Sequence, residues 1–263
     1  MYYFLGYEYE WFPSKRTTFT VLHMAQKKII IIGASSGIGR EVACRYVAMG
    51  YRVGITGRRE HFLKELKQKF PDQIFTSCFD VMEKENQDRI KKLIEDLGGL
   101  DILIYNSGYG DPSKDLIWEI ENTTTKTNVN GFVEIVSYGF NYFVKQGYGQ
   151  IAITSSVSAV RGNSWAPAYS ASKAFMSNYA EGLNIKAKRL KANIIVTDIR
   201  PGFIDTKMAK GNKQFWVVPK EKAVEEMIRA IEKKKRVVYV TKRWWLVAQI
   251  MKLLPFSIYR RIV

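Results

Sequence analysis

Histidine and cysteine are scarce in this sequence, with two of each among 263 residues. His23 and His61 cannot supply a multi-histidine metal site, and they argue against histidine-based acid–base catalysis. Cys44 and Cys78 are too few and too scattered for a disulfide framework or a zinc cluster, which fits a reducing, cytosolic compartment. No bound metal is expected. Acidic residues are also in short supply, 25 against 41 lysines and arginines, giving a net charge of +16. A polyanion or an anionic surface would suit such a chain. The excess is uneven, however: after Thr206 fifteen lysines and arginines face four glutamates. No nucleic-acid motif accompanies them, so nucleic acid is not an expected partner.

The first 23 residues differ from the rest. Tyr2, Tyr3, Phe4, Tyr7, Tyr9, Trp11 and Phe12 crowd together, but Glu8 and Glu10 interrupt them, and the basic start and unbroken apolar stretch of a secretory signal are missing. Met24 opens MAQKK directly before the first predicted strand, so residues 1–23 read as an upstream extension outside the fold. The other reading is an aromatic arm that packs on a partner or a membrane. The remaining length suits one large α/β core and does not demand two.

What is present is concentrated between Lys27 and Arg40, KKIIIIGASSGIGR. Ile29 to Ile32 form a β-branched run of the kind buried on both faces of a parallel sheet, and Gly33 ends it. After Ala34, Ser35, Ser36, Gly37, Ile38 and Gly39 comes a helical pattern with Val42, Ala43, Tyr46 and Val47 on one side. Strand, glycine turn and helix in that order aim backbone N–H groups at an anion, and the missing β-carbons let a pyrophosphate approach closely.

Strands are predicted at 51–56, 74–79, 101–105, 150–156, 193–199 and 237–240. Helices are predicted at 61–70, 83–97, 165–190 and 221–234, and in a long stretch ending near 145 with a break at 122–124. This alternation implies a parallel sheet with helices on both faces. Ligands in such a sheet bind beyond the strand carboxyl ends, where Gly33, Gly57, Asp80, Asn106, Ser155 and Ser156 fall. About 20 residues past the glycine turn, where an acidic residue would hold the adenosine ribose of NAD, this chain has Gly57 followed by Arg58 and Arg59. Without a carboxylate to repel it, a 2′-phosphate fits beside Arg58, which favours NADP(H). The alternative is that Arg58 and Arg59 mark only a solvated helix entry.

Tyr169 and Lys173 lie four apart on a predicted helix and therefore share a face. A lysine ammonium beside a phenol favours the phenolate, which predicts a lowered pKa for Tyr169. Ser156 precedes them at a strand end. GASSGIG, NVNG, SS before YSASK, and PGFIDT follow one another in an order and spacing that resembles the short-chain dehydrogenase/reductase family. The resemblance covers roughly 27–241 and implies an α/β, Rossmann-type doubly wound domain at 24–241 with a seven-stranded, mostly parallel sheet. It also implies that Tyr169 is the general acid/base, that Ser156 polarises a carbonyl, that Lys173 binds the nicotinamide ribose, and that Asn128 holds a relay water. By the same resemblance Thr206 contacts the carboxamide and Asp80 the adenine. Gly33, Ser35, Ser36, Gly37, Ile38, Gly39, Arg58, Arg59, Val81, Asn106, Gly108, Pro201, Gly202 and Ile204 complete the implied cofactor site. One departure stands out: the family's usual Asn-Asn-Ala-Gly is here Tyr105-Asn106-Ser107-Gly108. The implied reaction is hydride transfer between NADP(H) and a carbonyl or alcohol, and a homodimer or homotetramer is the family expectation.

The resemblance leaves the substrate open. Residues 242–263 read KRWWLVAQIMKLLPFSIYRRIV, an amphipathic tail whose apolar run is shorter than the ~20 residues of a spanning helix. Paired tryptophans flanked by cations suit an interfacial helix, which would place the protein peripherally at the inner face of a membrane. Equally open is a helix that caps the cleft or packs in a subunit interface. The interfacial reading favours a long-chain or lipid ketone, as in reductases of 3-ketosphinganine or related acyl ketones. The alternatives are a soluble reductase of small ketones or carrier-bound 3-oxoacyl groups, and, in another class, a non-catalytic NADP sensor.

Overall fold

The isoleucines of β1 (Lys28–Ile32) are fully buried and divide between two faces, Ile29 and Ile31 entering one apolar cluster and Ile30 and Ile32 another. A strand with no solvent on either side has to be central. In the computed structural model, which describes residues 26–206 and 216–262, β1 pairs in parallel with β2 (Arg52–Gly57) on one edge and β4 (Ile102–Tyr105) on the other. Adding β3 (Ile74–Cys78), β5 (Tyr148–Thr154), β6 (Asn193–Pro201) and β7 (Val237–Val240) gives a seven-stranded sheet in the order β3-β2-β1-β4-β5-β6-β7. Every pairing is parallel. Helices α1 (Gly37–Ala48), α2 (Glu60–Lys69) and α7 (Lys220–Glu232) cover one face through Val42, Leu63 and Met227. Helices α3 (Asn86–Leu97), α5 (Gly131–Gln146) and α6 (Pro167–Arg189) cover the other through Ile90, Phe140 and Met176. The doubly wound α/β arrangement is as anticipated. Strand order reverses between β1 and β4, and a crevice opens there at the carboxyl ends.

Two differences from the sequence reading have a clear local cause. Helix α3 starts at Asn86 rather than near 83, because Asp80 ties the preceding residues into a turn. Its carboxylate accepts from the Met82 N–H at 3.0 Å, its carbonyl accepts from the Glu83 N–H, and Glu85 then takes a left-handed backbone with φ 67°. The break expected at 122–124 is absent. Thr124 and Thr125 donate back to the carbonyls of Ile120 and Glu121, at 2.7 and 2.9 Å, and remain in α4 (Trp118–Thr125). The helix instead widens into a π-helical turn at Lys126–Asn130 before α5.

After β7 the chain forms α8 (Lys242–Leu253) and, past Pro255, a single turn α9 (Phe256–Tyr259). Trp244 and Ala248 of α8 are buried against Val157, in the short 3₁₀ helix Val157–Val160 that follows β5. Among the described residues no helix is long and apolar enough to cross a membrane. The predicted extension at 1–23 lies outside the described residues.

Candidate active site

The glycine turn closes because two glycines permit contacts that no side chain allows. A β-carbon on Gly33, which has φ +84°, would lie 2.7 Å from the Ser107 backbone, and one on Gly39 would lie 2.1 Å from the Gly33 carbonyl. Asn106 locks the approach by donating its side-chain N–H to that carbonyl at 3.0 Å. Ser107, the departure from the family pattern, thus stands where β4 touches the turn. A cleft of about 630 Å³ opens above, lined by Gly33, Ser35, Ser36, Gly37 and Ile38 on one side. Gly39 is not in the lining and packs instead against the Gly33 carbonyl and Asn106.

The adjoining wall is basic. Arg59 donates to the hydroxyls of Ser35 and Ser36 at 2.8 and 2.6 Å, and Arg58 pairs with Asp80 at 3.3 Å. Both arginines, Asp80 and Val81 line the cleft. Glycine turn, serine hydroxyls and guanidinium forks together form a cradle for an anionic dinucleotide, with no carboxylate at Gly57. The described residues fit a phosphorylated nicotinamide cofactor.

Beyond β4 and β5 the cleft becomes enclosed and polar. Ser156, Tyr169 and Lys173 line its deep end together with Asn106 and Gly108. Ser156 caps the short 3₁₀ helix by accepting from the Ser158 N–H at 3.0 Å. The aromatic ring of Tyr169 lies against Gly110, where a β-carbon would fall 2.2 Å from Cδ2. Lys173 is buried, and its ammonium donates to the Thr154 carbonyl at 2.9 Å, 5.7 Å from the centre of the Tyr169 ring. Here one expectation is corrected. Burial pushes the Tyr169 phenol above its ordinary pKa, and the Ser156 hydroxyl only partly opposes that shift. The lysine charge does not acidify it, because Lys173 is turned toward β5 and is itself desolvated. Its pKa falls to about 8, the carboxylate of Asp198 resisting the fall.

Asn128 lies outside the cleft lining and is fully buried on the π-helical turn. It accepts from the Tyr109 N–H at 2.9 Å and donates to the Tyr109 carbonyl and the Ser172 hydroxyl, at 2.7 and 2.9 Å. Its side chain thereby fixes the loop after β4 to α6 beside Lys173. Pro201, Gly202, Ile204 and Thr206 line the far side.

Two further groups belong to the site, of which Asp198 escaped the sequence reading. Asp198 on β6 is buried, takes a short hydrogen bond from the Ser155 hydroxyl, and accepts from Arg200 Nε at 2.7 Å. Arg200 in turn donates to the Tyr239 hydroxyl at 2.9 Å. An acidic residue within the run of buried positions of β6 was the available sign. Trp244 also lines the cleft, so close to Gly202 that a β-carbon there would meet its indole at 2.0 Å.

A family model described as short chain dehydrogenase matches residues 27–215. An uncharacterized oxidoreductase of Mycobacterium tuberculosis is 30% identical over 242 residues, covering 88% of this chain and 94% of that protein. A glucose 1-dehydrogenase of Gluconobacter oxydans is 30% identical over 196 residues, 69% of this chain and 74% of that protein. Among solved structures, a short-chain dehydrogenase from Streptomyces avermitilis superposes with a TM-score of 0.76 at 22% identity, covering 86% of this chain and 92% of that one. Another, from Burkholderia cenocepacia in complex with NADP, gives a TM-score of 0.78 at 19% identity, with 90% and 98% covered.

Proposed function

The chain belongs to the short-chain dehydrogenase family, and we propose that it is a cytoplasmic NADPH-dependent reductase of a hydrophobic carbonyl compound, with residues 24–241 as the catalytic domain and 242–263 as its basic tail. One observation carries this reading: Ser156, Tyr169 and Lys173 line the same cleft as the glycine turn and the Arg58–Arg59 cradle. NADPH, when bound, supplies the hydride. Ser156 donates its hydroxyl hydrogen to the substrate oxygen, and Tyr169 gives up its phenolic proton to that oxygen as negative charge develops there. Burial keeps the phenol protonated at neutral pH, the form that reduction requires. Lys173 holds its charge beside the phenol and binds ribose hydroxyls, and Asn128 steadies the loop and helix around them.

Val157, Phe203, Ile204 and Trp244 also line the cleft and give it an apolar stretch, to which this reading assigns the substrate. Each methylene buried there adds about 0.8 kcal/mol of binding, close to fourfold. In an NADPH-oxidation assay over 2-ketones of increasing chain length, kcat/KM is expected to rise steeply with length. A flat or falling series would remove the hydrophobic assignment. The basic excess after Thr206 favours one second reading, a reductase of 3-oxoacyl groups on an acidic carrier protein, and a carrier-bound substrate in the same assay separates the two.

The lysine sets the alkaline limit. Because Lys173 is charged below about pH 8 and neutral above it, kcat/KM for reduction should be level below that point and fall about tenfold per pH unit above it. Asp198→Asn removes the carboxylate that supports the ammonium, so the falling limb should move to lower pH. A limb that stays in place would detach Lys173 from the alkaline loss.

A further inference from the structure

Among the described residues, helices α8 and α9 leave one apolar face uncovered. Trp244 and Ala248 turn inward, while Trp245, Leu246, Ile250 and Leu253 turn outward, with exposures from 50% for Ile250 to 82% for Leu253. Leu246, Ile250 and Leu253 follow one another at helical spacing and so adjoin on one side. Phe256, Ile258 and Ile262 are exposed on the segment that follows. Apolar side chains exposed singly are ordinary, but a contiguous strip of this length marks an interaction surface.

Its surroundings restrict the partner. Lys242, Arg243 and Lys252 on α8 and Arg260 and Arg261 in the turn after α9 are exposed, and the sequence has no acidic residue after Glu232. A second copy of the chain in a two-fold contact would set these cations against their own counterparts, an arrangement opposed by like-charge repulsion. An anionic bilayer satisfies both features at once, accepting the apolar strip at the headgroup boundary and the cations at its phosphates.

The strip is also preformed. Arg161 donates to the carbonyls of Met251 and Leu254 and lies 4.2 Å over the Tyr259 ring, and the Tyr259 hydroxyl donates to the Gly162 carbonyl at 2.7 Å. These contacts tie the helices to the loop that follows Ser156, so docking would require little further ordering.

We propose that the outer face of α8 and α9 docks on an anionic lipid bilayer, bringing the cleft wall formed by Trp244 of the same helix close to the lipid surface. A carbonyl compound dissolved in the bilayer would then reach Tyr169 without crossing bulk water. This consequence rests on the reductase reading, whereas the docking itself is measured without turnover.

The test is sedimentation of the full chain with vesicles of phosphatidylcholine alone or mixed with phosphatidylglycerol. Binding is expected on the mixed vesicles, with weak binding to the neutral ones and release by salt. Trp245→Glu combined with Leu253→Glu should weaken binding at least tenfold, whereas Met49→Glu, an exposed apolar position at the end of α1, should not change it. NADPH binding, followed by cofactor fluorescence, reports whether each variant has folded. A folded double variant that binds like the parent overturns the proposal, as does equal binding to both vesicle types. A dimer split by the double variant, with no vesicle binding by the parent, would assign the strip to a second copy instead. Vesicle binding without reduction of any carbonyl would remove the reductase reading and leave the docking intact.

Discussion

Tyr169→Phe is expected to lower kcat/KM for carbonyl reduction by about a thousandfold, within the range general acids contribute, while NADPH affinity changes less than about threefold. The substitution removes one oxygen and keeps the ring against Gly110, so the deep end of the cleft should retain its shape. Neither neighbour is placed to replace the lost proton. The Lys173 ammonium donates to the Thr154 carbonyl, 5.7 Å from the centre of the Tyr169 ring, and a serine hydroxyl is too weak an acid to take over from the phenol. Burial raises the Tyr169 pKa, so the phenol stays in the protonated form that reduction uses, and its deprotonation is a cost for the reverse oxidation. The variant should therefore lose both directions, oxidation in the parent improving with rising pH until Lys173 discharges near 8. Steady-state assays in both directions, with cofactor binding measured separately, check this. Retention of a tenth or more of the parent rate would remove Tyr169 as the acid.

How far the sequence carried this site depends on the kind of contact involved. The isoleucine run of β1 could be read because a strand buried on both faces needs apolar residues at every position, and β-branched residues ended by a glycine favour strand over helix. The cleft residues followed, since strand carboxyl ends share one rim. Asn128 could be assigned only by resemblance. Its position depends on a π-helical turn at Lys126–Asn130 that breaks the regular helical period and has no composition of its own. The direction of the Tyr169 shift was hidden for a related reason: the i, i+4 spacing puts Tyr169 and Lys173 on one face but does not say that Nζ turns to a strand carbonyl. In the tail, adjacent Trp244 and Trp245 differ by about 100° around the helix. Sequence alone could not tell which was inward, and the structure buries Trp244 in the cleft wall and exposes Trp245. The cap and the interfacial helix, opposed as readings of the sequence, are compatible as two faces of α8.

Cofactor choice gives the second large effect. Replacing Arg58 and Arg59 together by alanine should weaken NADPH binding about a hundredfold, on the scale of two charge-assisted hydrogen bonds partly screened by solvent. NADH binding should stay within about threefold, because it has no 2′-phosphate to lose contact with. The two arginines are not equivalent. Arg58 is largely exposed and bridged to Asp80, so its share should shrink in salt. Arg59 is already held at the glycine turn by its bonds to the Ser35 and Ser36 hydroxyls. Single alanine variants should accordingly divide the loss unevenly, with the larger part at Arg59. Gly57 makes the arrangement feasible, since a β-carbon there would come within 3.0 Å of Ser35 Cβ, and an aspartate would add a charge facing the phosphate. Titrations of NADPH and NADH against the double variant, at low and high salt, decide the matter. Equal losses for the two cofactors would move the arginines to the shared pyrophosphate, and no loss for either would reduce them to a solvated entry of α2.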